Sequence, residues 1–346
     1  MQRIFSLLAV VALLGGGWYF ASNFKIAGLD HVRVVSQDGD GSAVSADPPP
    51  LPPVEHSDRA IRIATFNIQV FGPTKSADPQ VMNVLAGIVR HFDIVAVQEI
   101  RSRDQTLIER FVERVNQDEA GSPRHYRHVL GPRLGRTSSK EQYAFVFDSA
   151  TVEVDRSGVY TVDDPEDLLH REPLVAQFRV RGPAPHEAFT FILVNIHTDP
   201  DEASAEVDTL ADVYRVVRQA ASSAAVGGAM GEDDIIILGD LNAPGSLPLQ
   251  LSDLGRLGQL SGIQAAITSE PTNTRRDKLY DNVIFHAPST VEFTGRAGVM
   301  NVMRRFNLTS EQELAVSDHL PVWAEFTLFE NGTADGRLAT RPEVRQ

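Results

Sequence analysis

Short apolar segments recur through the middle of the chain, and most of them end in a polar or charged residue. Their length of about seven residues and their content of Val, Ile and Phe are typical of β-strands. Several are apolar at consecutive positions, which indicates strands that are buried on both faces. The predicted strands are 61–67, 93–99, 142–147, 174–180, 189–197, 234–240, 280–286 and 320–328.

Helical periodicity occurs between these strands. Apolar residues recur at three- and four-residue spacing over 78–92 and 201–224, and more weakly over 106–115. Strands that alternate with helices predict an α/β domain with a mixed sheet covered on both sides. We also expect tight antiparallel connections around 142–160 and 281–298.

The chain divides into four parts by composition. Residues 1–24 contain an uncharged run that is longer than the usual apolar region of a signal peptide, about 7–15 residues, and we predict a membrane anchor, with a cleaved signal as the alternative. Either element places the remainder outside the membrane, tethered or secreted. Residues 25–59 are a Pro/Ser/Asp-rich linker, 60–329 the folded domain and 330–346 a polar tail.

Charge and cysteine content limit the chemistry that is available. The chain has 32 Lys and Arg against 46 Asp and Glu, a net charge of −14, so it has no overall basic surface for nucleic acid. A polyanionic substrate must therefore meet a local basic patch or a metal ion. The absence of cysteine excludes disulfides, thiolate zinc sites and a cysteine nucleophile.

Polar residues cluster at the ends of the predicted strands, where α/β sheets place their sites. A single Asp after a strand is most often a helix cap, but capping does not explain five such ends in one chain. The asparagines of this set can donate hydrogen bonds to an oxyanion without carrying charge. The set consists of Asn67, Glu99, His197, Asp240, Asn242, Asp318 and His319.

The residue types in this set fit hydrolysis of a phosphate ester. Glu99 and Asp318 are hard oxygen ligands suited to Mg²⁺, Mn²⁺ or Ca²⁺. His197 and His319 can serve as acid and base near neutral pH. A zinc site is the alternative for the histidines, but the sequence contains no H-E-x-x-H spacing to support it.

Six motifs resemble the endonuclease/exonuclease/phosphatase superfamily and occur in that family's order. They are TFNIQ (65–69), AVQEI (96–100), VNIHT (194–198), ILGDLNA (237–243), YDNVI (280–284) and SDHLPV (317–322). LGRTSSKEQYAFVF (134–147) and REPLVAQF (171–178) resemble the deoxyribonuclease I family more closely. The resemblance implies a four-layer α/β sandwich of two packed mixed sheets flanked by helices, and metal-dependent cleavage of a phosphodiester.

The resemblance also implies roles for the residues at the strand ends. Glu99 is the principal metal ligand, helped by Asn67 and Asp318, for Mg²⁺ or Mn²⁺, with Ca²⁺ as a further candidate. Asp240 and Asn242 hold the scissile phosphate, a second metal ion or the attacking water.

Two carboxylate–imidazole pairs follow from the same resemblance. Glu141 orients His197, and Asp281 orients His319. We expect His319 to activate water and His197 to protonate the leaving oxygen, although the sequence leaves this assignment open.

The leading interpretation is an exported, monomeric endonuclease that cleaves DNA with little sequence preference. Its predicted substrate contacts are Arg101, Arg136, Arg171, Arg275 and Arg276. A lipid phosphodiesterase or an inositol-phosphate phosphatase on the same scaffold is the first alternative, since a membrane anchor suits a lipid substrate. A catalytically silent binding module is the second, and the complete set of polar residues argues against it.

Overall fold

Two packed β-sheets with helices outside them form the part of the chain that the computed structural model describes, residues 59–117, 124–136, 140–224, 231–242 and 247–332. The strands are β1 (Ala60–Phe71), β2 (Ile94–Ile100), β3 (Tyr126–Leu130), β4 (Gln142–Asp148), β5 (Val152–Thr161), β6 (Leu174–Val180), β7 (Thr190–His197), β8 (Ile235–Asp240), β9 (Ile263–Ala265), β10 (Asp281–His286), β11 (Phe293–Val299) and β12 (Val322–Thr327). The helices are α1 (Pro73–Ser76), α2 (Pro79–Val89), α3 (Leu107–Asn116), α4 (Ala203–Ala224), α5 (Gly255–Gly258), α6 (Val302–Phe306) and α7 (Ser310–Val316), with 3-10 turns at Leu251–Leu254 and Glu330–Gly332.

Each sheet has a parallel pair at its centre. The first sheet has the order β11-β12-β1-β2-β4-β3, and the second has the order β5-β6-β7-β8-β10-β9. The pairs β1–β2 and β7–β8 are parallel, and their neighbours are antiparallel. A parallel pair needs a crossover, which α2 supplies between β1 and β2 and α4 supplies between β7 and β8. The predicted sandwich of two mixed sheets is confirmed.

The side chains of β1 explain the four layers. Ile61 and Ile63 belong to the apolar cluster that includes residues of the second sheet, whereas Ala64 and Phe66 belong to the cluster that includes α2 and α3. Successive side chains of a strand point to opposite faces, so one strand contributes to both clusters. This double burial accounts for the continuous apolar runs in the sequence.

The two tight antiparallel connections predicted around 142–160 and 281–298 are wrong. β4 and β5 lie in different sheets, and so do β10 and β11. β4 is paired on both edges by β2 and β3, and β10 is paired on both edges by β8 and β9. Neither strand has a free edge for the strand that follows it, so the chain crosses from one sheet to the other at both points.

The predicted terminal elements cannot be compared with this fold. The anchor or signal in residues 1–24 lies outside the described residues, as do the linker 25–59 except Arg59 and most of the tail 330–346. Among the helices that the structure describes, none has the length and apolar content that crossing a bilayer requires.

Candidate active site

The strand ends that carry the predicted residues meet at one edge of the sandwich. Asn67 lies near the end of β1 and Glu99 near the end of β2, while His197 and Asp240 are the last residues of β7 and β8. Because each of these pairs is parallel, each sheet brings two polar ends to the same edge. A cavity of about 280 Å³ opens there, lined by Glu99, Arg101, His170, Arg171, His197, Asp199, Pro200, Asp240, Asn242 and His319.

The backbone is distorted where β1 and β2 reach this edge. Gln69, Val70 and Glu99 have φ angles of 40°, 51° and 59°, and the register between the strands shifts after Asn67. Left-handed backbone costs an ordinary residue about 1–2 kcal/mol, and such strain is concentrated at functional sites. The distortion places the Val70 N–H 2.7 Å from Oε2 of Glu99, to which it donates a hydrogen bond. The Glu99 carboxylate is therefore held in position by the backbone.

Each histidine is oriented by a buried carboxylate. His197 Nδ1 lies 2.6 Å from Oε1 of Glu141, and His319 Nδ1 lies 2.9 Å from Oδ2 of Asp281. With the Nδ1 atoms engaged, both Nε2 atoms face the same acid: they lie 3.6 Å and 3.5 Å from Oδ2 of Asp240. The structure therefore brings the two carboxylate–imidazole pairs together around one oxygen.

Asp240 is the centre of this arrangement and is only 1% exposed. Its Oδ2 accepts a hydrogen bond from Asn67 Nδ2 at 3.0 Å, and its Oδ1 accepts one from the Asn242 N–H at 2.9 Å. Burial by itself raises the pKa of this carboxyl, but the neighbouring His319 and His197 outweigh burial and lower the pKa below its usual value. Asp240 is therefore ionised at neutral pH.

The same charges act on the imidazoles. Burial by itself lowers the pKa of His319, but Asp281 and Asp240 outweigh it and raise the pKa to about 10. The pKa of His197 is also raised, because Glu141 outweighs the effect of burial. His319 is therefore cationic at neutral pH, and the shift favours the protonated form of His197, so both rings can donate a proton or a hydrogen bond to a phosphate.

Two further side chains support the histidines, and sequence reasoning missed them. The Tyr143 hydroxyl accepts the His197 backbone N–H at 2.9 Å, and the Thr272 hydroxyl donates to Oδ2 of Asp281 at 2.8 Å. Tyr143 lies in the predicted strand 142–147, two residues after Glu141, so an extended backbone that begins one residue earlier places both side chains on one face, which was an available signal. Thr272 lies outside the predicted strands and gave no such signal.

The predicted metal ligands offer a set of hard oxygens. Asn67 Nδ2 lies 3.5 Å from Oε1 of Glu99, while Asp318 lies beside His319, with its Oδ1 3.9 Å from Nε2. This Oδ1 is buried and has no hydrogen-bond partner. Such an unpartnered carboxylate oxygen is a ligand of the type that Mg²⁺ takes, as is the carboxylate of Glu99. Sequence reasoning also missed Lys75, which donates hydrogen bonds to three backbone carbonyls at this edge. Burial lowers the pKa of Lys75 to about 8, although the nearby Asp318 and Glu99 act in the opposite direction.

Two of the predicted arginines lie at the cavity. Arg101 is about one-third exposed, and its Nη2 and Nε lie 3.5 Å and 3.6 Å from Glu99 and Glu141. Arg171 is buried, with Nε 3.2 Å from Oε1 of Glu141, and it also donates to two backbone carbonyls. Arg101 can therefore reach a substrate, whereas Arg171 acts chiefly on Glu141. Arg275 is exposed and does not line the cavity.

The structure does not bring the other two arginines into the cavity. Arg136 forms ion pairs with Asp167 and Glu202 at 3.0 Å and 2.9 Å, and Arg276 pairs with the buried Glu313 at 2.9 Å. A phosphate would have to compete with these carboxylates, which are distant from Arg136 and Arg276 in the sequence.

Comparison with known proteins places the chain among phosphoesterases. Residues 64–319 match the endonuclease/exonuclease/phosphatase family. The chain is 32% identical to deoxyribonuclease-1 of Sus scrofa over 76% of its length and 90% of that protein, and 31% identical to deoxyribonuclease gamma of Homo sapiens over 79% and 87%. Its fold resembles truncated TDP2 of Caenorhabditis elegans, with a TM-score of 0.50 at 15% identity over 78% of this chain and 98% of that one. ANGEL2, a 2′,3′-cyclic phosphatase, has the same TM-score at 14% identity, over 79% and 97%.

Proposed function

The chain belongs to the endonuclease/exonuclease/phosphatase family, and we propose that it is a deoxyribonuclease I-like phosphodiesterase that cleaves DNA with little sequence preference. The observation that carries this proposal is the convergence of two oriented imidazoles on Asp240 beside Glu99. Deoxyribonucleases at about 30% identity over most of the chain favour DNA over the lipid and inositol-phosphate alternatives.

The geometry of the two carboxylate–imidazole pairs indicates which ring nitrogen of each histidine can act. Glu141 and Asp281 hold Nδ1 of each ring, so the Nε2 atoms are the ones that exchange protons with the reactants. We assign His319 to receive the proton of the attacking water and His197 to donate a proton to the leaving oxygen. Because the pKa of His319 is high in this arrangement, it must fall when substrate and cation bind if His319 is to act as a base.

Glu99, with Asn67 and Asp318, would hold a Mg²⁺ or Mn²⁺ ion, with Ca²⁺ as a further candidate, and such an ion stabilises the negative charge that develops on the phosphate. Asp240 and Asn242 would hold the scissile phosphate, a second metal ion or the attacking water. The backbone bond to Glu99 keeps its carboxylate in place before the reactants arrive.

Arg101 is the best-placed substrate contact, since it lines the cavity and keeps part of its guanidinium exposed. A contact to a phosphate carries no base information, which suits cleavage with little sequence preference. With a net charge of −14, long-range attraction to DNA is weak, so binding depends on such local contacts and falls with added salt.

We further propose that a monomeric catalytic domain is exported, directed by residues 1–24. Retention of this segment as a membrane anchor and its removal as a signal are distinguished by amino-terminal sequencing of the mature protein and by extraction of membranes with high salt. A soluble mature protein whose sequence begins after residue 24 would show that the segment is a cleaved signal and not a membrane anchor.

Plasmid DNA, sphingomyelin and an inositol phosphate, each with and without EDTA, test the proposed activity. We expect cleavage of the plasmid only, lost in EDTA and restored by Mg²⁺ or Mn²⁺. Glu99→Ala should be inactive, while Glu153→Gln, a partly exposed carboxylate that pairs with Arg179 and Arg181, is the matched control. Hydrolysis of sphingomyelin without cleavage of DNA would establish the lipid alternative instead.

A further inference from the structure

A second group of carboxylates lies at the opposite end of the second sheet. Asp234 directly precedes β8, Glu292 directly precedes β11, and Glu330 follows β12. One carboxylate oxygen from each of the three lies within 4.8 Å of the others. β8 separates this group from Asp240 by six residues, about 20 Å of extended strand, so the group is distinct from the catalytic edge.

Two of these carboxylates are buried, and each has one oxygen without a hydrogen-bond partner. Asp234 and Glu292 are each 1% exposed, and Oδ1 of Asp234 and Oε2 of Glu292 have no hydrogen-bond partner. The remaining oxygens are held by the backbone, because Oε1 of Glu292 and Oε2 of Glu330 each accept an N–H, at 2.6 Å and 3.2 Å. The backbone thus fixes Glu292 and Glu330 within a group whose three carboxylates lie close together.

No cationic side chain of the described residues forms an ion pair with Asp234, Glu292 or Glu330. Glu232 and Asp233 add further negative charge nearby. Burial and the surrounding carboxylates raise the pKa of Asp234 to about 9 and that of Glu330 to about 7. Buried carboxylates are normally paired or bound to a metal ion, so this group lacks a compensating charge.

We propose that Asp234, Glu292 and Glu330 bind a structural Ca²⁺ ion. Carboxylate, hydroxyl and carbonyl oxygens are its preferred ligands, and it accepts irregular arrangements of six to eight of them, whereas Mg²⁺ requires near-octahedral geometry. Asp234 belongs to the second sheet, while Glu292 and Glu330 flank β11 and β12 of the first. The ion therefore joins the two sheets at the end opposite the cavity.

Calcium binding by the full-length, metal-free protein tests this site by equilibrium dialysis, independently of activity. Glu292→Gln should bind one Ca²⁺ fewer than the wild-type protein. Glu99→Ala, which alters the catalytic edge, should keep the ion that depends on Glu292. Glu153→Gln, the partly exposed carboxylate that pairs with Arg179 and Arg181, is the matched control and should bind as the wild type does.

The thermal midpoint gives a second readout. At a Ca²⁺ concentration about a hundredfold above Kd, the midpoint of the wild-type protein should rise by about 5–10 °C, and that of Glu292→Gln should not respond. Glu330→Gln, at a half-buried position, serves if Glu292→Gln does not fold. Equal Ca²⁺ stoichiometry in the wild type and the folded variant overturns the proposal, as does a wild type that binds no Ca²⁺. A protonated carboxyl cluster would then account for the site.

Discussion

Replacing Glu141 with Gln removes a charge from His197 while keeping the shape of the side chain. Oε1 of Glu141 lies 2.6 Å from Nδ1 of His197, and Glu141 is the main group that raises the pKa of this imidazole against the effect of burial. Arg171 and Arg101 flank the same carboxylate and stay cationic in the variant, so they oppose protonation of the ring. The pKa of His197 must therefore fall in Glu141→Gln.

The size of the effect follows from the charge that is lost, because the Gln amide oxygen can still accept a weaker, neutral hydrogen bond from Nδ1. A hydrogen bond to a charged group contributes about 1.5–3 kcal/mol, which corresponds to about a 10- to 150-fold loss of rate if His197 donates its proton in the reaction. The sign with pH is fixed by the direction of the shift. At acidic pH the ring is protonated in both proteins and the loss is smallest; as pH rises, the variant loses the proton first and the loss grows.

Initial rates of plasmid cleavage by the wild type and by Glu141→Gln are measured between pH 5 and 9 at saturating metal. They give the ratio of the two rates at each pH. Glu153→Gln controls for the loss of a carboxylate far from the cavity, and the circular dichroism of each variant reports folding. A ratio of wild-type to Glu141→Gln rates that does not change with pH would refute the proton-donor reasoning and leave Glu141 with a positioning role only. If Glu141→Gln cleaved the plasmid as fast as the wild type at every pH, the Glu141–His197 pair would have no role in catalysis.

Three other outcomes are expected. Glu99→Ala should lose at least about a hundredfold in rate while remaining folded, as judged by its thermal midpoint, because one preorganised charge contact to the transition state is typically this large. His197→Ala and His319→Ala should each lose about 10²–10⁴-fold in plasmid cleavage, and the double variant should lose less than the product of the two. Tyr143→Phe leaves the buried His197 N–H without its partner, so urea unfolding should show a loss of about 1–3 kcal/mol.

The motifs predicted the local structure of the catalytic edge well because each one combines a strand with the residue at its end. The predicted helix 201–224 is observed as Ala203–Ala224, and the predicted strand 234–240 as Ile235–Asp240. The parallel pairs then bring the polar ends together, as the rule for α/β sheets anticipates. Apolar periodicity and strand-end chemistry were sufficient for this much.

The features that the sequence did not predict depend on residues that are distant in the chain. The pairing of β4 with β2 and β3 decides that β5 joins the other sheet, and no local pattern in 142–160 reports this. Arg136 and Arg276 look like free cations in the sequence, but their carboxylate partners become neighbours only in the fold. The short strands β3 and β9 are stabilised by an adjacent strand edge more than by their own residues.

The direction of β1 determines where the domain can be attached to something else. Its first residue, Ala60, is in register with Thr327 of β12, at the end of the sandwich away from Asn67. Seven residues of strand, about 23 Å, separate Ala60 from Asn67. A polypeptide joined ahead of Ala60 is therefore attached at the end of the sandwich opposite the catalytic edge. A long polymeric substrate can then reach the catalytic edge while the protein is immobilised through that polypeptide. A solid support or fusion partner joined there should leave turnover on large substrates intact.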